Sequence, residues 1–333
     1  MKRNLYSKNE IDEIKRAVES YKNFYLESNR IPFYHFTITI IGYLASIYAF
    51  KKSKYFLPLF IFFTIRLFII FHDCCHNNFF KVTEKQHNSG IRGYNKIMAQ
   101  IIEPLVMFDE FSWKTGHNHH HKVHGNKSEF DITKTVITLD EYKHLPIYKK
   151  ILYRILRTPI IYFNIAPIYI FFIQHIFKPI YLLKCIIFYY LIFKFGNIDL
   201  VKKVFIGQLF VGVIGTILFH LQHQVNTGYW EEYDTRDKLS YDIAQLHGAS
   251  MLQVPRFLKW ATFGIEYHHI HHLTPRIPGY NLQKCHEDNE YLFNKITKVG
   301  YKQAFKSIFH SLYDENEKRY VSFWIDKCLG LQA

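Results

Sequence analysis

The chain has 333 residues, enough for one large domain or two ordinary ones, and it is 49% hydrophobic and 18% aromatic while carrying 42 Lys+Arg against 28 Asp+Glu. Apolar runs alternating with basic segments describe a multi-pass membrane protein rather than a soluble enzyme. The charge of +14 does not describe a nucleic-acid surface, because the basic residues are scattered and the aromatics sit inside apolar runs; it suits anionic lipid headgroups or an acidic protein partner.

Residues 1–31 read as an amphipathic N-terminal segment. Ile11, Ile14, Val18, Tyr21 and Tyr25 recur at spacings of three and four among charged residues, predicting a helix over 8–28 that either lies on the membrane surface or packs on the domain. Met1 to Arg30 is too polar to hold the apolar core of a secretory signal, so an internal span is expected to direct insertion. Residues 32–50 carry no Asp, Glu, Lys or Arg and 55–71 only Arg66, and each run approaches the ~20 apolar residues that cross hydrocarbon. The short Lys51-Lys52-Ser53-Lys54 link makes them a helical hairpin. Arg66 is costly in such a span unless it snorkels or faces protein.

Residues 72–157 are polar and form a segment on one side of the membrane, with the apolar patch 97–108 dipping into or lying along the interface. Three apolar runs follow, 158–177, 180–195 and 204–220. Only Lys178-Pro179 separates the first two, which is too little to turn between antiparallel spans. Asn164 and Pro167 mark 158–177 as the interfacial or re-entrant one, leaving 180–195 and 204–220 as a second hairpin. Residues 229–333 hold no further span. The expected fold is an all-α integral membrane protein with about four spans, a membrane domain over 32–290 and a C-terminal helical segment over 291–333. The histidine-bearing side, with the longer basic segments, is assigned as cytoplasmic, although Lys51, Lys52, Lys54, Lys202 and Lys203 lie on the other. Cys74, Cys75, Cys185, Cys285 and Cys328 form no C-x-x-C pair and leave one over, which points to thiols in a reducing compartment.

Histidines cluster at the ends of the apolar runs. His72 and His76 form H-x-x-x-H; His117, His120 and His121 form H-x-x-H-H; His268, His271 and His272 repeat it, and His220 and His223 stand between. On a helix, i, i+3 and i+4 share a face, so each set converges, whereas His119 and His269 point elsewhere. With one of His220 and His223, the convergent histidines number nine, too many for one ion but suited to two. For the sets before 125 and after 220 to share a centre, an even number of crossings must separate them, as the two crossings of the second hairpin provide. A structural zinc needs only four ligands, commonly with cysteine, and Cu(I) prefers Cys and Met, so iron is the first candidate. Asp73, Asp131 and His220 are candidates to orient the ligands from behind, and His124 can support its cluster in the same way. Isolated histidines, His35, His87, His144, His175 and His310, are expected to be solvated or hydrogen-bonded.

In His72–His76, His117–His121 and His268–His272 the chain resembles the membrane fatty acid desaturase family. Phe219-His220-Leu221-Gln222-His223 with Tyr229-Trp230, Leu246–Ser250 and Gly264–Tyr267 through Pro278–Leu282 are similar to its acyl-lipid, delta-12 or omega-6 branch, and the resemblance covers roughly 32–290. It implies two non-haem irons held by His72, His76, His117, His120, His121, His268, His271 and His272, with His223 as the further ligand. It also implies O₂ as co-substrate, an acyl-lipid substrate and removal of two hydrogens from adjacent methylenes to leave a cis double bond. No catalytic side chain beyond the metal centre is implied. Electrons come from a separate ferredoxin or b-type cytochrome with its reductase, because the chain has no His-Pro-Gly-Gly haem signature. The alternatives on the same scaffold are an acyl-chain hydroxylase and a carotenoid ketolase or hydroxylase. An alkane hydroxylase is expected to show H-x-x-x-H-H in the second box, and a transporter to carry ionisable groups at mid-membrane.

Overall fold

The computed structural model describes residues 4–131, 136–173, 177–226 and 228–323; His175 and Cys328 fall outside them. Helix α1 (Lys8–Ala17) starts at Ser7, whose hydroxyl and the Glu10 carboxylate form a reciprocal capping box. It is shorter than the periodicity over 8–28 predicts. The chain leaves the helix because Asn23 is buried and donates to the carbonyls of Asn77 and Phe80, both at 3.0 Å, fixing a pair of single 3-10 turns instead. The apolar face of α1 packs on the domain: Tyr6, Ile11, Ile14 and Val18 are buried with Tyr267, Ile270, Leu273 and Leu282.

Helices α2 (Arg30–Lys52) and α3 (Leu57–Cys75) form the first hairpin. Gly42 lets them approach closely, since a Cβ there would sit 1.9 Å from the Phe63 ring. The short α4 (Glu84–Asn88) leads to α5 (Tyr94–Val106), which lies against α3 and buries Ala99, Ile102 and Val106. Next come α6 (Glu110–Val123), α7 (Leu139–His144), α8 (Ile147–Leu156) and α9 (Pro159–Ile168), the last running into a π-helical turn at Tyr169–Ile173. Pro167 removes a backbone donor just before that turn, where the regular α-helix gives way. Helix α10 (Pro179–Phe195) and α11 (Ile198–His223) make the second hairpin.

Among the described residues three helices are long and apolar enough to cross a membrane: Arg30–Lys52, Lys54–Cys75 and Ile198–His223. The two hairpin turns meet, because Lys51 Nζ donates to the Phe195 carbonyl at 2.6 Å. The opposite ends of α3 and α11 therefore carry His72–His76 and His220–His223 together. Past α11, helices α12 (Lys238–Gly248), α13 (Lys259–Thr262), α14 (His268–Leu273), α15 (Gly279–Asp288) and α16 (Tyr301–Ser307) build the cap. The structure departs from a purely helical expectation here. Among the described residues five short strands pair in two sheets: β1 (Ile137–Thr138) lies parallel to β4 (Leu312–Asp314), which is antiparallel to β5 (Arg319–Val321), and β2 (Ser250–Leu252) is parallel to β3 (Thr297–Val299). These two- and three-residue strands are too short to show an alternating pattern in sequence.

Arg66 is fully enclosed by protein rather than snorkelling. Its Nε donates to Thr39 Oγ1 at 2.9 Å, its other nitrogens reach the Trp260 carbonyl and His35 Nδ1, and its guanidinium lies 3.7 Å from the Trp260 ring centre. It thus ties α2, α3 and α13 together. Arg66→Ala is expected to destabilise the fold by roughly 2–4 kcal/mol, read as thermal unfolding in detergent, because the buried Thr39 hydroxyl and two part-buried acceptors lose their donor; an unchanged midpoint would contradict this role.

Candidate metal centre

The ends of α3, α6, α11 and α14 meet, and their histidines separate into two groups. His72, His76, His117 and His271 form one; His120, His124, His223 and His272 form the other; in each, one ligand atom per residue lies within 4.8 Å of all the rest. His121 joins the first group, with Nε2 3.1 Å from both His117 Nε2 and His271 Nε2. His268 joins the second, with Nε2 3.1 Å from both His223 Nε2 and His272 Nε2. The groups adjoin, as the His121 and His272 rings stack at 4.2 Å.

The three histidines of an H-x-x-H-H set therefore do not converge on one point. Positions i and i+4 are separated by roughly 40° around a helix, but i+3 and i+4 by roughly 100°, so the set divides between two centres. His117 and His121 serve the first and His120 the second; His268 and His272 serve the second and His271 the first.

The donor chemistry fits metal ions. A first-row ion held by imidazole at about 2.1 Å sets neighbouring donor nitrogens about 3 Å apart. The Nε2 separations His72–His117, His117–His121 and His121–His271 are each 3.1 Å. A single N–H serves such a cluster poorly, since His117 Nε2 faces two other nitrogens at once, whereas a central cation takes a lone pair from each. His76 Nε2 is buried with no hydrogen-bond partner among the described residues. Burial, reinforced by neighbouring imidazoles, holds His117, His121, His268, His271 and His272 well below the usual imidazole range and His76 at about 3, so all are neutral donors at pH 7.

The tautomers are set from behind. Asp73 accepts from His72 Nδ1 at 2.9 Å, and its other oxygen accepts from the Gly279 amide at 2.6 Å, joining α3 to α15. Asp131 accepts from His120 Nδ1 at 2.8 Å. His272 Nδ1 donates to Gln245 Oε1 at 3.0 Å, while Gln245 Nε2 donates to the His121 carbonyl at 3.0 Å. Gln245 thus links two histidine sets, a role no spacing signal reveals. Gln222 on α11 donates to the Ile265 carbonyl at 2.9 Å and so fixes the approach to α14. His220 faces away, its Nε2 donating to the Ser307 carbonyl at 2.7 Å. His119 is exposed and bonds the Phe130 carbonyl, and His269 is buried against His286 and Phe293. Trp113 stacks on His117 at 4.3 Å and closes one side with Phe68, Phe71 and Phe108.

Residues 53–299 match a family model described as fatty acid desaturase. A "Fatty acid desaturase" of Bacillus subtilis (strain 168) is 34% identical over 281 residues, 78% of this chain and 74% of that protein. An "sn-1 oleoyl-lipid 12-desaturase" of Picosynechococcus is 24% identical over 77% of this chain and 75% of its own length. An "Omega-6 fatty acid desaturase, chloroplastic" of Arabidopsis thaliana is 23% identical over 86% and 66%.

Gln245→Leu keeps the volume of that side chain but removes the acceptor of His272 and the donor to His121. It is expected to weaken metal binding about 10- to 100-fold in a chelator competition while the helical content stays unchanged; an undiminished affinity would show that Gln245 only packs.

Proposed function

The chain belongs to the fatty acid desaturase family and is an oxidoreductase, and from this premise we propose that it is a membrane-bound non-haem diiron enzyme that forms a cis double bond in an acyl lipid. The observation that carries the reading is the pair of buried imidazole groups at the common end of two hairpins. Nine histidines hold the irons: His72, His76, His117, His121 and His271 on one side, His120, His223, His268 and His272 on the other. Two bound irons supply the redox chemistry that lets O₂ and two electrons remove hydrogens from an unactivated methylene pair.

The chain's own residues provide the setting. Asp73, Asp131 and Gln245 keep protons on Nδ1 of His72, His120 and His272, so that Nε2 presents its lone pair inward. Trp113, Phe71 and Phe108 exclude water from the His72 and His117 side, which keeps the site dry for a chain that has no polar handle at the reacting carbons. No acid–base side chain is required there.

The topology that suits this reading has four crossings, in α2, α3, α10 and α11, with α9 interfacial. Helix α10 has 17 residues and rises about 26 Å, close to the hydrocarbon thickness of about 30 Å. The histidine side is cytoplasmic, where the reduced donor, a ferredoxin or a b-type cytochrome, is available and the basic cap attracts it. Residues 32–290 form the membrane domain, preceded by the amphipathic segment 1–31 and followed by the segment 291–333. Regiochemistry follows the delta-12 or omega-6 type named in the relatives.

Expression in a host of known lipid profile, followed by gas chromatography of fatty acid methyl esters, tests the reading. A new diene is expected and His271→Ala is expected to abolish it; hydroxylated chains or altered carotenoids without a new double bond would contradict it.

A further inference from the structure

We propose that His124 is a tenth imidazole ligand, completing the second metal pocket beside His120, His223, His268 and His272. The inference rests on the diiron reading above and goes beyond its nine ligands.

Helix geometry carries the first part of the argument. Every i, i+4 histidine pair in the site shares a pocket: His72 with His76 and His117 with His121 in the first, His268 with His272 in the second. His120 and His124 are the remaining i, i+4 pair, and His124 lies with His120 in the second pocket. Each pocket then holds two such pairs and one single histidine, His271 in the first and His223 in the second. Without His124 the first has five nitrogens and the second four.

Local construction carries the second part. His124 is fully buried, and its ring centre lies 4.1 Å from that of His272, 4.8 Å from His223 and 5.1 Å from His120. It sits at the C-terminal cap of α6, one helical turn beyond His120, and there the chain leaves the helix. Gly125 follows at φ +74°, a left-handed turn, and a Cβ there would come 2.9 Å from the Ala244 Cβ. The Tyr233 hydroxyl donates to the His124 carbonyl at 2.7 Å and pins the turn. On the facing helix a Cβ at Gly248 would lie 2.5 Å from His124 Nε2, so only glycine leaves room for the imidazole. Ala244 and Gly248, one turn apart on α12, are the small residues that let the 124–125 turn fold back into the site. A surface or purely packing histidine needs none of this.

The test is iron content and ⁵⁷Fe Mössbauer spectroscopy on the full chain in detergent, for wild type, His124→Asn, His124→Gln, Gly248→Ala and His119→Ala. The wild type is expected to hold about two irons per chain with two quadrupole doublets. Both His124 variants are expected to fall to about one iron, with one doublet lost and the other unmoved, and Gly248→Ala to change the same doublet by displacing the ring. His119→Ala, from the same helix but outside both pockets, is expected to match the wild type. Either His124 variant retaining about two irons with both doublets unchanged would overturn the tenth ligand and leave the diiron reading standing. A wild type that takes up fewer than about two irons overturns both.

Discussion

Lone pairs that face one another out of water are the constraint on which this structure turns. Ten imidazoles are gathered, several with nitrogens 3.1 Å apart, an arrangement that is poor for hydrogen bonding and favourable around a cation. Burying them without one leaves polar atoms such as His76 Nε2 unsatisfied, at a cost of order 1–3 kcal/mol each. Metal binding and the stability of the fold would therefore be coupled, because the four helix ends that supply the histidines are the ones that bound ions would hold together.

The remaining architecture sets those helix ends. Two hairpins meeting at Lys51 and Phe195 bring the far ends of α3 and α11 level, Arg66 fastens α13 to the first hairpin, and Gln222 and Gln245 carry the register across to α14 and α6. Division of each H-x-x-H-H set between two pockets then follows from the 100° step of a helix. Two centres side by side need a motif with i+3 and i+4 both present, which explains why a simple H-x-x-x-H pair serves only one of them.

Much of this was legible in the residues. Charge-free runs marked the long apolar helices, histidine spacing marked the sets, and Asp73 and Asp131 stood where an acceptor for Nδ1 would be. What the sequence hid was non-local. Gln245 lies 27 residues from His272 and 124 from His121, and a glutamine carries no motif. His124 looked like a trailing neighbour because its burial depends on Ala244 and Gly248, more than a hundred residues away in sequence. The N-terminal helix ended early because Asn23 found carbonyl partners in the 77–80 turn, and the strands were too short for alternation to register.

Iron K-edge X-ray absorption on the purified chain, with metal content from the same sample, tests the central claim most directly. The account predicts about two irons per chain, a first shell of nitrogen and oxygen at about 2.1 Å, and the multiple-scattering pattern of several imidazoles per ion. A single iron, or a sulfur shell from Cys74 or Cys75, would contradict it.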